Sequence, residues 1–371
     1  MNKKICMIFN TPSLYRKKIY QMLDNAFDCE WFFGNYDYNV KSFDTDCLEK
    51  TKFLSVKWLY RNSIYCVPGM LRLLFSSHYD KYILTGSTHN ISVWVFALLK
   101  CIFFKKKRIY FWTHGCYGNE SFFLGFLKRK LLKSATGVFL YGTYAKNILV
   151  KTGIDEEKLF VIHNSLDYDK QLTLRKNTLK ECVYFDHFRN TNQTIIFIGR
   201  LTVVKKLDML IYALDALKQK GHNYNLVFVG TGVQRPHLEK IVQQKSLEKN
   251  VWFFGECYDD AVNAKMIFNA DVCVSPGNVG LTAIHSLMFG TPVITHDDFT
   301  KQMPEFEAIQ TGKTGDFFEY DNVESLANTI HCWLKKNVSN REMIRQFCYN
   351  EIDSTWNPHY QMSVFTKVLE G

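Results

Sequence analysis

The sequence predicts an α/β protein of two doubly wound domains, each a parallel sheet with helices on both faces. Three observations predict it. Short apolar runs alternate with longer amphipathic patterns along most of the chain, the rhythm of strand–helix–strand units. The runs are apolar throughout rather than alternating, as strands covered on both faces require. The rhythm breaks between Asp167 and Gln193, where Lys, Asn, Arg and Thr replace apolar periodicity and the segment reads as a connection.

Bulk properties agree with two cores. A chain of 371 residues is long for one domain, and 47 % hydrophobic residues suffice for two interiors. Charged residues at 22 % exclude a disordered chain. The formal net charge of +10 favours anionic partners: nucleotide diphosphates, nucleic acid or an anionic membrane surface. The 11 Cys are odd in number and form no Cys-x-x-Cys pair, so reduced thiols in a cytoplasmic protein are expected rather than a disulfide framework or a zinc site. The apolar run Ile5–Phe9 is too short for a signal peptide and reads as a first buried strand. No stretch of apolar residues is long enough for a membrane span.

In the first half, strands are expected at Ile5–Phe9, Tyr82–Leu84, Ile109–Trp112, Gly137–Leu140 and Phe160–Ile162, with helices at Ser13–Asn25, Asn90–Phe103, Ser121–Lys133 and Thr143–Thr152. In the second half, strands at Ile195–Ile198, Leu226–Val229, Val251–Phe254, Val272–Ser275 and Val293–Thr295 alternate with helices at Lys205–Lys220, Gln234–Lys245, Asp259–Asn269 and Leu281–Phe289. Helices follow at Val323–Lys335, Asn340–Tyr349 and Ser354–Glu370. The expected organisation is a domain over 1–180, a second over 190–350, and a C-terminal helix within 351–371 packing back on the first. Ligands of doubly wound sheets bind beyond the carboxyl ends of the strands, so chemistry is sought on the loops after strands.

Three such loops stand out in the second half. In Gly199-Arg200-Leu201-Thr202-Val203-Val204-Lys205 a Gly permits close backbone approach, and two cations five residues apart suit a diphosphate at a helix entrance. Gly230-Thr231-Gly232 lacks a third Gly and a following acidic residue, so it does not read as a dinucleotide site. Ser275-Pro276-Gly277-Asn278-Val279-Gly280 leads into a helix whose first amides, at Gly280, Leu281 and Thr282, form an anion site.

These loops resemble family 4 of the glycosyltransferases, retaining enzymes of GT-B fold, in a bacterial surface-polysaccharide type. The resemblance is carried by Gly199–Lys205 with Leu207–Ala213, by Gly230–Gly232, by Gly290–Val293, and by Pro304-Glu305 ahead of Gly312–Gly315. In the first half Asn164-Ser165-Leu166-Asp167 and Trp112-Thr113-His114-Gly115 resemble family strand ends. The resemblance implies two Rossmann-like domains facing a central cleft. It implies that Arg200 and Lys205 hold the donor pyrophosphate and stabilise the leaving nucleoside diphosphate. It places His114 by the donor sugar near the anomeric carbon, and Gly199, Gly232, Asn278, Gly280, Leu281, Thr282 and His285 around the donor. Asn10 and Thr11, after the first strand, stand on the acceptor side, where the family often has a Gly-rich loop that this chain lacks. No metal and no cofactor are expected; the nucleotide-sugar is a substrate.

The chain departs from the family where two Glu usually stand eight positions apart: Gly277 and His285 occupy those positions. His285 can still hydrogen-bond a ribose through either nitrogen. Gly277 has no side chain to hold the sugar, and Asn278 or a backbone group is expected to substitute.

The expected function is transfer of a sugar from a UDP- or GDP-sugar to a glycan or lipid-linked oligosaccharide with retention. The alternatives are a catalytically silent nucleotide-sugar-binding protein and a GT-B-fold UDP-sugar epimerase. Phe103-Phe104-Lys105-Lys106-Lys107-Arg108 and Phe122–Lys130 mix bulky apolar and basic residues. They read as buried helix faces with solvated Lys ends or as a peripheral contact with the inner face of the cytoplasmic membrane. Nucleic acid is not an expected partner, since the basic runs are short and no recognition module is present.

Overall fold

A computed structural model describes residues 4–35, 41–60 and 63–371. The chain forms two compact units, Met1–Asp167 with Pro358–Gly371, and Tyr168–Asn357.

The first unit contains β1 (Lys4–Phe9), α1 (Lys17–Ala26), β2 (Cys29–Gly34), β3 (Thr51–Leu54), β4 (Lys57–Tyr60), β5 (Ile64–Cys66), α2 (Pro68–Phe75), β6 (Tyr79–Thr85), α3 (Ile91–Phe103), β7 (Arg108–Thr113), α4 (Phe122–Lys133), β8 (Gly137–Leu140), α5 (Thr143–Lys151) and β9 (Leu159–Val161). Its parallel sheet has the order β3-β2-β1-β6-β7-β8-β9, and β4 and β5 pair as a separate antiparallel hairpin. Residues of alternate strand faces enter two cores. Cys6, Tyr82, Leu84 and Phe111 meet α2, α3 and α4 on one side. Met7, Trp31, Ile83 and Trp112 meet α1 and the C-terminal helix α14 (Pro358–Glu370) on the other.

Strand β2 was not expected from the sequence. Glu30 interrupts its apolar run, but Lys4 donates to that carboxylate at 2.9 Å and the Tyr79 hydroxyl donates to its other oxygen, so the charge is satisfied at the sheet margin. Helix α14 is fixed by apolar and polar contacts together. Phe365 lies 4.4 Å from the Phe139 ring and 5.0 Å from that of Trp112. Gln361 accepts from the Ser165 hydroxyl at 2.7 Å and donates to the His163 carbonyl at 2.8 Å. Full burial of Phe365 and Leu369 contributes roughly 1.5–3 kcal/mol each.

The second unit contains α6 (Tyr168–Asn177), α7 (Phe185–Phe188), β10 (Thr194–Ile198), α8 (Leu207–Gln219), β11 (Asn225–Val229), α9 (Arg235–Gln244), β12 (Val251–Gly255), α10 (Asp260–Asn269), β13 (Val272–Ser275), α11 (Leu281–Met288), β14 (Val293–His296), β15 (Gly315–Phe318), α12 (Val323–Lys336) and α13 (Arg341–Ser354). Its sheet is parallel in the order β12-β11-β10-β13-β14-β15.

The segment read as a connection carries α6 and α7 within this unit. Its anchors are polar and leave no apolar period. Arg175 makes a two-toothed pair with Asp353 at 3.0 and 2.8 Å, Lys170 reaches Asp260 at 2.5 Å, and the Tyr184 hydroxyl donates to the Met266 carbonyl. A second difference lies at Lys205. The helix expected there begins at Leu207, because Val203–Lys205 forms a 3-10 turn and Lys206 adopts a left-handed conformation with φ of 48°.

Candidate functional site

The site of the second unit is assembled from the loops after β10, β11 and β13. Beyond β10, Gly199 donates its amide to the Val229 carbonyl at 2.9 Å and Leu201 donates to that of Thr231 at 3.0 Å, so the loop after β10 runs along the loop after β11. That closeness explains the Gly-x-Gly. A Cβ on Gly230 would lie 2.0 Å from the Gly199 carbonyl oxygen, and one on Gly232 would lie 2.3 Å from that of Leu201. Gly232 thus stands against the main chain of the loop that carries Arg200.

The loops after β10 and β13 are joined in the same manner. Gly277 donates its amide to the Lys205 carbonyl at 2.9 Å, and a Cβ there would lie 2.0 Å from the Val204 carbonyl oxygen. Any side chain at Gly277, the Glu of the resembled family included, would need this crossing to open. The Lys205 ammonium then donates to both oxygens of Asn278, at 2.6 Å to the main chain and 2.9 Å to the side chain. The Asn278 side-chain oxygen is therefore engaged with Lys205. Lys205 Nζ also lies 3.8 Å from where a Cβ on Gly280 would stand.

Gly280, with φ of 52°, caps α11. Ala283 donates to the Gly280 carbonyl at 3.0 Å, while the amides of Gly280, Leu281 and Thr282 meet no acceptor among the described residues. The Thr282 hydroxyl donates to the Ile198 carbonyl at 2.9 Å, pinning this helix end to the end of β10. A helix N-terminus with open amides and an ammonium beside it is an arrangement for an anion.

A buried polar brace that the sequence reading missed holds the loop after β13. Gln302 accepts from the Val279 amide at 2.9 Å and donates to the Thr295 hydroxyl at 2.8 Å and the His296 carbonyl at 3.1 Å. Thr295 in turn donates to the carbonyls of Ser275 and Gly277, at 2.8 and 3.2 Å. Neither residue belongs to a local motif; only the fold brings them under the loop.

Burial pushes the Lys205 ammonium down to about 8; Glu305 opposes this shift and Arg200 adds to it. Glu305 is itself buried, in the turn Pro304–Ala308, so a carboxylate lies within electrostatic reach of the site. Arg200 is exposed. His285, on α11, packs edge-on to Phe289 at 5.6 Å, and burial pushes its imidazole down to about 4, so it is neutral near pH 7.

The sequence-expected residues of the first unit gather at the strand ends there. His114 follows β7, and its ring lies 4.7 Å from that of Tyr141. Its Nδ1 is buried without a hydrogen-bond partner. Burial, then the charges of Arg16 and Lys128, push the imidazole down to about 3. After β1, Asn10 accepts from the Tyr65 hydroxyl at 3.4 Å, and the Thr11 hydroxyl lies 3.2 Å from that of Ser42.

The basic-aromatic stretches are buried only in part: Phe104, Leu124 and Leu127 are half-buried, while other bulky residues are exposed. Phe122 is 88 % exposed, Phe123 69 % and Phe103 68 %, and Lys105, Lys106 and Lys130 are exposed beside them. No helix of the described residues is long and apolar enough to cross a membrane. Among the described residues, no group of three His, Cys, Asp or Glu is placed to hold a metal ion.

Residues 185–350 match the family Glycosyl transferases group 1, so the second unit carries a domain of that kind. An uncharacterised glycosyltransferase of Methanocaldococcus jannaschii is 28 % identical over 151 residues, covering 38 % of this chain and 36 % of the relative. A GDP-mannose-dependent alpha-(1-6)-phosphatidylinositol dimannoside mannosyltransferase of Mycobacterium tuberculosis is 30 % identical over 161 residues, covering 43 % and 39 %. The match thus spans less than two fifths of either relative. Among solved structures, Anabaena Alr3699/HepE in complex with UDP superposes with a TM-score of 0.74 at 15 % identity, covering 99 % of each chain. The lipopolysaccharide outer core galactosyltransferase WaaB superposes with 0.73 at 14 %, again over 99 % of each. The fold is that of the GT-B glycosyltransferases.

Proposed function

We propose that this chain is a glycosyltransferase of the retaining type, moving a sugar from a UDP- or GDP-sugar to a glycan or lipid-linked acceptor. The observation that carries the reading is the placing of the Lys205 ammonium beside the open first turn of α11. An ammonium and unpaired amides converge there on one volume, with Arg200 on the same loop. This is a fixed electrostatic environment for a pyrophosphate, and it stabilises most the charge that develops as the nucleoside diphosphate leaves. In this reading the anomeric C–O bond to the diphosphate breaks and the acceptor hydroxyl oxygen bonds to the same face of that carbon. The hydroxyl proton passes to a departing phosphate oxygen. No side chain is assigned as nucleophile, and the two cations with the helix amides stand in for a metal.

His114 serves the donor sugar in this reading, as a neutral imidazole, and His285 serves the ribose. The neutral state of both rings suits hydrogen bonding to sugar hydroxyls, and His285 lies within the 185–350 match. Incubating the protein with UDP- and GDP-sugars and a panel of lipid-linked and free glycans tests the reading. Formation of a glycoside with the donor's anomeric configuration is expected. Tight nucleotide binding with no turnover over a broad panel would favour a silent binding protein, and sugar interconversion without acceptor would favour an epimerase.

A second element of the reading concerns a surface. The exposure of Phe103, Phe122 and Phe123 beside Lys105, Lys106 and Lys130 favours peripheral contact with an anionic bilayer, which would suit a lipid-linked acceptor. Flotation with vesicles containing phosphatidylglycerol tests it. Binding that is lost in Phe122→Ser with Phe123→Ser is expected; equal flotation of the variant would contradict it.

A further inference from the structure

The most unusual charge among the described residues is Arg16, at the start of α1 in the first unit. Its guanidinium donates to the Tyr20 hydroxyl at 3.3 Å and to that of Tyr141. It sits over the rings of Trp112, Tyr15 and Tyr141 at 5.2, 5.3 and 5.6 Å. Its Nε is buried without a hydrogen-bond partner, and among the described residues no carboxylate pairs with it. Three other enclosed cations among the described residues are compensated. Lys128 is paired with Glu120 at 3.0 Å, Arg175 with Asp353 at 2.8 Å, and Arg341 donates to the carbonyls of Gly290 and Ala270 at 2.7 and 2.6 Å.

An arginine cannot shed its proton, so it cannot escape burial by becoming neutral. Phenol oxygens and aromatic faces recover part of the lost hydration, but an enclosed cation without an anion remains costly. Tyr20, Tyr141 and Trp112 are buried and form a floor, while Arg16, Tyr15 and His114 keep partial exposure above it. The His114 ring packs, tilted, at 4.7 Å against Tyr141, the phenol that accepts from Arg16. The cation therefore belongs to the same strand-end cluster as the residue assigned to the sugar, and its side chain keeps partial exposure.

We propose that Arg16 is an acceptor-binding residue that receives an anionic group, a carboxylate or a phosphate, carried by the acceptor near the hydroxyl that is glycosylated. The inference rests on the glycosyltransferase reading and narrows it to acidic acceptors. Each Nη of the planar guanidinium carries a second N–H beyond its bond to a phenol, and this pair matches the two oxygens of either group.

Nuclear magnetic resonance titration of the full chain tests it, following the Arg16 Nε–H signal with saturating UDP and GDP present so that the phosphate site of the second unit is filled. Methyl β-glucuronide and glycerol 3-phosphate are the charged probes; methyl β-glucoside and glycerol are their neutral counterparts. At least tenfold tighter binding of one charged probe than of its neutral counterpart is expected, with a shift of the Arg16 signal. The glucuronide responding points to a sugar acid, and the phosphate responding to a phosphorylated acceptor. Arg16→Gln should abolish the preference and Arg16→Lys should keep part of it, with thermal unfolding confirming that both variants fold. Equal binding of charged and neutral probes, or a preference that survives Arg16→Gln, would overturn the proposal. UDP and GDP titrated into the same samples separate the two readings: failure of both nucleotides to bind the wild-type protein would count against the glycosyltransferase reading, whereas nucleotide binding with no anion preference would count against Arg16 alone.

Discussion

The Lys205 ammonium lies 2.6 Å from the main-chain oxygen of Asn278 and 2.9 Å from its side-chain oxygen, so the loops after β10 and β13 are closed on one another by the cation that the proposed function assigns to the diphosphate. Replacing Lys205 removes this clasp and, in the proposed function, a phosphate partner. Lys205→Ala is expected to lower kcat/KM at least tenfold, about 1.4 kcal/mol of barrier, and to weaken nucleoside diphosphate binding in parallel. Arg200→Ala, on an exposed side chain, should show a kinetic loss of at least tenfold. Initial rates together with calorimetric titration check both; wild-type values in the folded variants would remove these residues from the site.

The charge on Lys205 also sets a pH dependence. Burial holds its pKa at about 8 in the unliganded protein, below the ordinary 10.5. The protonated form binds the diphosphate, so affinity should fall about tenfold between pH 7 and pH 9 as a proton must be taken up on binding. Stability moves the other way: the unfolded chain holds more protons between about pH 8 and pH 10.5, so this group's contribution to stability rises with pH through that window. Titrations across pH 7–9 with Lys205→Arg as control check the first effect, since the guanidinium stays charged and should flatten the profile.

Gly277 stands tight against the main chain of the loop after β10. Gly277→Ala places a Cβ 2.0 Å from the Val204 carbonyl oxygen, a main-chain atom that cannot swing aside. The substitution should cost about 2–3 kcal/mol of stability. It should also weaken diphosphate binding, because the Gly277 amide bond to Lys205 would be lost. Denaturant unfolding monitored with and without UDP checks this; an unchanged midpoint and affinity would show that the crossing is looser than described.

Thr295 and Gln302 act as positioning residues for the loop after β13. Thr295→Val keeps the volume but removes the hydroxyl donor to the Ser275 and Gly277 carbonyls and the acceptor of one Gln302 amide proton in a buried place. A loss of about 1–3 kcal/mol in stability is expected. Loosening of the amides after Gly280 should show as a raised Kd for nucleoside diphosphate with nucleotide base preference unchanged. Equal stability and equal Kd would contradict the brace.

Removal of α14 tests the division into units. Ending the chain before Pro358 uncovers Trp112 and Phe139, which Phe365 covers, and strips Gln361 from Ser165. The first unit should lose cooperative unfolding while the second retains it. Two unchanged transitions in calorimetry would contradict the assignment of α14 to the first unit.

Much of this was legible in the sequence, for a physical reason. Strands covered on both faces, such as Ile195–Ile198 and Val272–Ser275, must be apolar runs, and glycines at touching loops admit no substitute, so Gly230, Gly232 and Gly277 mark the site in print. What stayed hidden depends on partners far away in the chain. Glu30 concealed β2 until Lys4 and Tyr79 are seen to satisfy it. The polar anchors of α6 concealed a helix in a segment that reads as a linker. Gln302, Thr295 and Arg16 lie outside every local pattern, and their roles follow only from what the fold places against them.

The central claim is that Lys205, Arg200 and the first turn of α11 hold the diphosphate of a nucleotide-sugar. Calorimetric titration of the full chain with UDP and with GDP, in wild type and Lys205→Ala, tests it most directly. One of the two nucleotides should bind the wild type, and Lys205→Ala should raise its Kd at least tenfold while remaining folded. Binding of neither nucleotide, or binding unaffected by the substitution, would contradict the account.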